Sequence, residues 1–126
     1  RLPPRDRTHE LNREAAERRG RGADTLACWW LRLHGWRILE RRARVPGGEV
    51  DIVARRGSIL AFVEVKARSS EEAAAMSLDA WRLRRVAVAA ERLAARYLRP
   101  GDDLRIDAIF IVPRRLPRHV ANVWLG

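Results

Sequence analysis

Apolar residues recur along the chain with two periods, one helical and one extended, and the changes between them divide it into elements. From about Asp6 to His34, Ala15, Arg19, Gly22, Leu26, Trp29 and Leu33 follow at steps of three and four, the spacing of one helix face. Gly20 and Gly22 weaken that helix, which predicts one broken helix or a helix with a mobile first half, stopped by Gly35. Trp36 to Val45 then reads as a strand, Pro46-Gly47-Gly48 as a turn, and Glu49 to Ala54 as a second strand. Arg55-Arg56-Gly57-Ser58 is the expected hairpin turn into a third strand, Ile59 to Ala67. That strand is apolar on both faces in its first half, which predicts a central position. Ser69-Ser70-Glu71-Glu72 combines a serine cap with first-turn acids. It opens a helix expected to reach about Leu98, with Leu83, Val86, Ala90, Leu93 and Tyr97 on one face. Pro100-Gly101-Asp102-Asp103 stops it, Leu104 to Val112 forms a fourth strand, and Val120 to Trp124 a fifth at an edge.

The order is α-β-β-β-α-β-β with no repeat and no linker, which predicts a single mixed α/β domain over residues 1–126. Residues 1–19 are a candidate mobile N-terminal extension. A chain of 126 residues with 47% hydrophobic positions can bury a core and is not a disordered tail. The single cysteine, Cys28, excludes an internal disulfide and a cysteine-built zinc site, and it reads as a buried thiol. No run approaches the roughly 18 apolar residues that span a bilayer. No apolar segment of the signal-peptide kind follows Arg1-Leu2-Pro3-Pro4-Arg5. A cytoplasmic location is the expectation.

Charge sharpens the picture. Twenty-six basic and 16 acidic residues give a formal net charge of +10, which favours polyanionic partners, nucleic acid before an acidic membrane. The same excess is also what an arginine- and alanine-rich genome would produce. All but one of the basic residues are arginine, and the exception is Lys66.

Alternation on the strands places candidate chemistry. Glu49, Asp51 and Val53 share one face, and Leu60, Phe62, Glu64 and Lys66 share one on the next strand. A hairpin between them brings Asp51 close to Glu64, with Lys66 alongside. Two carboxylates and an ammonium in an apolar sheet must pair or coordinate something. On one reading, Asp51 or Glu64 forms a partly buried salt bridge with Lys66. On the other, Asp51 and Glu64 hold Mg²⁺ or Mn²⁺, with the Val65 carbonyl as a third ligand and water and a substrate phosphate completing the shell. Lys66 then orients the attacking water or meets charge developing on phosphorus.

An aspartate, twelve intervening residues, then Glu-x-Lys on a central strand resembles the signature of the PD-(D/E)XK nuclease superfamily. Gly35-Trp36-Arg37-Ile38-Leu39, Gly48-Glu49-Val50-Asp51-Ile52-Val53-Ala54, Phe62-Val63-Glu64-Val65-Lys66-Ala67-Arg68 and Leu104-Arg105-Ile106-Asp107 occur in that order. Together they resemble the YraN-type family of small uncharacterised bacterial proteins, grouped with archaeal Holliday-junction resolvases and other restriction-endonuclease-like folds. The resemblance covers residues 20 to 112. It implies a restriction-endonuclease-like mixed sheet flanked by helices, Asp51 and Glu64 as metal ligands, and Lys66 as the catalytic lysine. It gives Glu49 a part in binding metal or shaping the site, and it sets Asp24 where the family usually has a glutamate on the first helix. Further departures are Arg82 for a frequent lysine, Ala67 for a frequent threonine, and the lack of a Phe-Gly element in Ser69 to Ser77. The implied function is a metal-dependent endonuclease acting on branched or irregular DNA. The alternatives are a nuclease fold that binds nucleic acid without cutting, and an interaction domain. A homodimer is expected by analogy with resolvases that cut two strands symmetrically. The lone lysine then falls where this signature asks for one, a position that a bulky, permanently charged guanidinium fills poorly.

Arg41, Arg42, Arg44, Arg55 and Arg56 are expected beside the site, with Arg82, Arg84 and Arg85 on the second long helix. Arg55, Arg56, Arg68, Arg82 and Arg85 are the candidate phosphate contacts. His9, His34 and His119 read as surface residues, Trp29 and Trp30 as pointing to different helix faces, and Asp107 beside Arg105 as structural.

Overall fold

The computed structural model describes residues 22–124. The first half of the expected leading helix, including Gly20, and the candidate extension with His9 lie outside the described residues. Helix α1 covers residues 22–33 and ends at Gly35, which takes φ +86°, a conformation that glycine adopts without penalty. Strands β1 (Arg37–Val45), β2 (Gly48–Arg56) and β3 (Ile59–Ala67) follow. Helices α2 (Glu71–Ala75) and α3 (Ala80–Tyr97), then strands β4 (Asp103–Ile111) and β5 (Arg118–Val120), complete the chain.

The five strands form one mixed sheet in the order β1-β2-β3-β4-β5. β3 is central, as its two-sided apolar pattern predicts. It runs antiparallel to β2 and parallel to β4, with α2 and α3 making the crossover. This is the helix-flanked mixed sheet expected from the sequence, consistent with a restriction-endonuclease-like fold. No helix among the described residues is long and apolar enough to cross a membrane.

Each face of β3 feeds a different core. Ala61, Val63 and Val65 meet Ala23, Ala27, Cys28 and Leu31 of α1, together with Trp36. Leu60 and Phe62 meet Leu83, Val86, Ala89, Ala90 and Leu93 of α3, the helix face read from the sequence with Ala89 added. α1 corrects the sequence reading. Leu26, Trp29 and Leu33 are exposed, while Ala23, Asp24, Ala27, Cys28 and Leu31 face the sheet. Small side chains let α1 lie close to the strands, so its buried face is the less hydrophobic one by residue type. Neither Trp29 nor Trp30 joins the core; Trp36 does.

The expected single helix from Ser69 to Leu98 is two. Ser70 caps α2 as predicted, its side chain accepting from the Ala73 N–H. At the break, the Ser77 hydroxyl donates to the Ala74 carbonyl, and the Asp79 carboxylate accepts from the Arg82 N–H at 2.7 Å. Asp79 thus starts a fresh helix. α2 packs through Ala74 on Phe110, Ala108 and Val112.

Boundaries shift elsewhere too. Arg55 and Arg56 belong to β2, and the second hairpin turns on Gly57-Ser58 alone, with Gly57 at φ +60°. β5 is Arg118–Val120, three residues upstream of its expected centre. His119 is not a surface residue. Its Nε2 lies 2.7 Å from Asp107 Oδ2, and its ring meets Trp36 edge-on. Asp107 is fully buried, bonded also by Arg105 and by the Asn122 N–H, which supports its structural reading. Burial works against its charge, but His119, Arg105 and the Asn122 N–H hold its carboxyl below the usual range.

Gly48 sets the spacing between β2 and α3. A Cβ there would stand 2.5 Å from the Arg85 carbonyl oxygen and 2.7 Å from the Ala89 nitrogen, both helix backbone. Gly48→Ala should therefore destabilise the fold by at least about 2 kcal/mol in urea unfolding, because neither backbone can yield cheaply. Asp107→Asn should cost about 3 kcal/mol near neutral pH. A carboxylate held low in the fold lends stability above its unfolded value and loses it as pH falls through its folded value. The difference between the two proteins should therefore shrink on acidification below the ordinary aspartate value of 3.8.

Candidate functional site

β2 and β3 pair in register from Arg56–Ile59 to Ile52–Val63. Beyond that point Asp51 takes over the role of a strand partner: its Oδ2 accepts from the Val65 N–H at 2.7 Å. β2 changes face here, because Val50 joins the core under α3 while Ile52, two residues on, joins the core under α1. The strands open, and a cavity of about 610 Å³ lies at the opening. Asp24 of α1, Glu49 and Asp51 of β2, Glu64, Val65 and Lys66 of β3, and Arg82 of α3 all line it. The structure thus brings together every residue predicted to bind metal or catalyse.

Glu64 is the most constrained of them. Its side chain is 3% exposed, with Oε1 3.0 Å from Arg82 Nε and 3.6 Å from Lys66 Nζ. Its other oxygen, Oε2, is buried without a hydrogen-bond partner. Burial and the Asp51 charge push the Glu64 carboxyl up to about 7, against the pull of Arg82 and Lys66. Asp24 is also held above its usual range by burial and by Asp51, although Arg42 Nε lies 3.2 Å from its Oδ2. Arg42 reaches it from a left-handed backbone, φ +52°, within β1, a conformation uncommon for a side-chain-bearing residue.

Arginine fills the space among the acids. Arg82 bonds Glu49 through Nη1 and Glu64 through Nε, and its Nη2 lies 3.6 Å from Asp51 Oδ1. Burial opposes its charge, but Glu64, Asp51 and Glu49 together more than compensate. Its place among three carboxylates differs from the phosphate contact that the sequence predicts for it. The spacing Arg82, Val86, Ala89, Leu93 nevertheless puts it on the buried face of α3. Glu49 is further flanked by Arg44 and Arg85, each at 3.8 Å.

The other candidate phosphate contacts divide. Arg85 lies against Trp81, its charge 5.3 Å from the ring centroid, and does not line the cavity. Arg68 is exposed next to Lys66's strand end and donates to the Ala67 carbonyl. Arg55 and Arg56 are not beside the site. They lie at the opposite end of β2, about 13 and 16 Å along the strand from Asp51 at 3.3 Å per residue. Arg55 is buried and forks onto Asp102 at 3.0 and 2.8 Å while donating to the Tyr97 carbonyl. It ties the end of α3 to β2. Arg56 rests on Trp36 and donates to the His34 carbonyl.

Among the described residues, no three His, Cys, Asp or Glu side chains are grouped to enclose a metal ion. A hard cation that keeps much of its water needs fewer protein ligands: one or two carboxylates with substrate oxygens suffice for Mg²⁺. Asp51 and Glu64, which repel each other across the opening and leave Glu64 Oε2 unanswered, fit that requirement.

These features define a class: a mixed α/β domain whose central sheet splays open onto a cavity of paired carboxylates and a single lysine. The chain belongs to the uncharacterised protein family UPF0102, whose model matches residues 23–111. This bears out the YraN-type resemblance. It is 59% identical over 114 residues to the UPF0102 protein of Sphingopyxis alaskensis, covering 90% of this chain and 98% of that one. It is 53% identical to the UPF0102 protein of Rhizorhabdus wittichii, covering 90% and 97%. With the UPF0102 protein of Methylorubrum extorquens it shares 46% identity over 97% of this chain and 94% of the relative.

The raised Glu64 carboxyl has a thermodynamic consequence. A glutamate that binds its proton more tightly in the fold favours the folded state only while protonated, so stability falls as pH rises. The window runs from the ordinary value of 4.5 to about 7. With chelator present, Glu64→Gln should gain on the native chain by about 2–3 kcal/mol between pH 5 and pH 8. Urea unfolding at the two pH values measures it, and a pH-independent difference would contradict the assignment.

Proposed function

We propose that this protein is an endonuclease-like enzyme of the PD-(D/E)XK superfamily that uses Mg²⁺ or Mn²⁺ to hydrolyse phosphodiesters in DNA, in branched or irregular structures. The observation that carries the reading is the meeting of Asp51 and Glu64 where the β2–β3 ladder ends, with Lys66 3.6 Å from Glu64 at the wall of one cavity. Asp51 and Glu64 would hold the cation, whose contribution is Lewis acidity toward the phosphate and the attacking water. Lys66 is held by the Glu64 carboxylate with 12% of its side chain exposed. Its ammonium can hold the attacking water or face the oxygens on which negative charge develops. The P–O bond to the leaving alcohol breaks as water adds, leaving a phosphomonoester and a hydroxyl. Arg42 and Arg44, which line the cavity, and Arg85, 3.8 Å from Glu49, suit the phosphates on either side, where contacts set position and do not read sequence.

A second reading has its own support. Arg82 already neutralises Glu49, Asp51 and Glu64 in part, as in a nuclease fold that binds nucleic acid without cutting it.

Calorimetric titration with Mn²⁺ separates these. The native chain should bind, Asp51→Asn should lose the heat, and Lys66→Ala should keep it while losing cleavage of four-way junctions and flaps by at least 100-fold, an expectation of order from the usual weight of such groups. Equal, measurable heats from the native chain and Asp51→Asn would sink the metal reading. Inactivity with retained, salt-sensitive DNA binding, the logarithm of affinity falling by about 0.9 per contacted phosphate per logarithm of salt, would establish the second.

A further inference from the structure

We infer that Arg82 is a resident counter-ion at this site, which a divalent cation must displace, so that this one side chain governs how tightly the site takes metal. The inference rests on the metal reading above and deepens it.

The geometry is specific. One guanidinium touches Glu49 and Glu64 and stands 3.6 Å from Asp51, so it takes up both carboxylates that would hold the cation. A planar fork can answer several carboxylates at once, where an ammonium is a single charged point. A divalent ion drawn to the same oxygens would lie within a few ångströms of that positive charge. At this range and in a half-buried setting, like charges repel strongly. Lys66 differs, since among the described residues it pairs with Glu64 Oε1 and not with Asp51.

The surroundings let Arg82 leave without disturbing the fold. Its backbone is fixed, because its N–H is the donor to the Asp79 cap of α3. Its side chain is 18% exposed and borders the cavity, so rotation about its own bonds carries the guanidinium out over open space. The site is built for more than this one cation, too: Glu64 Oε2 remains buried and unpartnered with Arg82 in place. The guanidinium satisfies the acids incompletely, as a replaceable counter-ion should.

Two measurements test this, one on a variant and one on the native chain. By calorimetry, Arg82→Gln should bind Mn²⁺ at least tenfold more tightly than the native chain. Binding by Arg82→Gln alone, with none by the native chain, supports the inference in its strongest form. Should Arg82→Gln not fold, the side-chain Nε–H signal of Arg82 is followed by NMR in the native chain during addition of Mg²⁺. It should shift and lose protection from exchange, while that of buried Arg55 stays in place as the internal reference. Mn²⁺ binding that is lost in Asp51→Asn but unchanged or weaker in Arg82→Gln overturns the inference and leaves the metal reading standing. So does an Arg82 signal that Mg²⁺ does not move while Mn²⁺ binds. No Mn²⁺ heat from either the native chain or Arg82→Gln overturns both.

Discussion

A carboxylate on the middle strand of the sheet governs much of this architecture. Glu64 lies where an apolar residue would complete the core, and its charge is answered by Arg82 from α3, Lys66 from its own strand, and nothing at Oε2. Burying a charge this way is unfavourable unless its neighbours are held in place. The restraints around it have that effect. Asp51 replaces a strand partner at Val65, Asp79 fixes the start of α3, and Gly48 lets α3 settle against β2. The fully buried Asp107 cluster and the Arg55–Asp102 fork lie away from the opening.

The positive charge of the chain is distributed unevenly in purpose. Arg55 and Arg105 are internal ties, bound to Asp102 and Asp107. Arg82 and Arg42 each answer acids of the cavity, and Arg44 stands exposed at its edge. The count of 26 basic residues therefore overstates the cations available to a polyanion. Their number at the cavity matters more than their number in the chain.

Much of this was legible in the sequence because it depends on alternation, which is local. Residues two apart on a strand share a face, so Glu64 and Lys66 had to lie together; the hairpin returned Asp51 to them, although β2 changes face between Val50 and Ile52 and breaks the alternation expected there. Features that depend on partners far along the chain were not legible. Nothing within four residues of Arg55 tells that Asp102 will bury it. The surface reading of His119 failed for the same reason, since its partner is Asp107 on the neighbouring strand. In α1 the larger apolar residues, Leu26, Trp29 and Leu33, proved to be on the open face. Periodicity showed that the helix has faces, but closeness of approach, favouring alanine, decided which one meets the sheet. The break before α3 was marked by Asp79, whose capping role was hidden inside a stretch of strong helix formers.

That break separates two functions that a continuous helix would couple. In an unbroken helix from residue 71 to 98, adding or removing one residue would rotate everything after it by about 100°. Arg82 would turn away from the acids, and the Leu83 face would leave the sheet with it. Because α3 begins anew at Asp79, its angular phase is set by its own cap and not by the length of what precedes it. The segment over Phe110 and Val112 could therefore change in length without altering the direction in which Arg82 points.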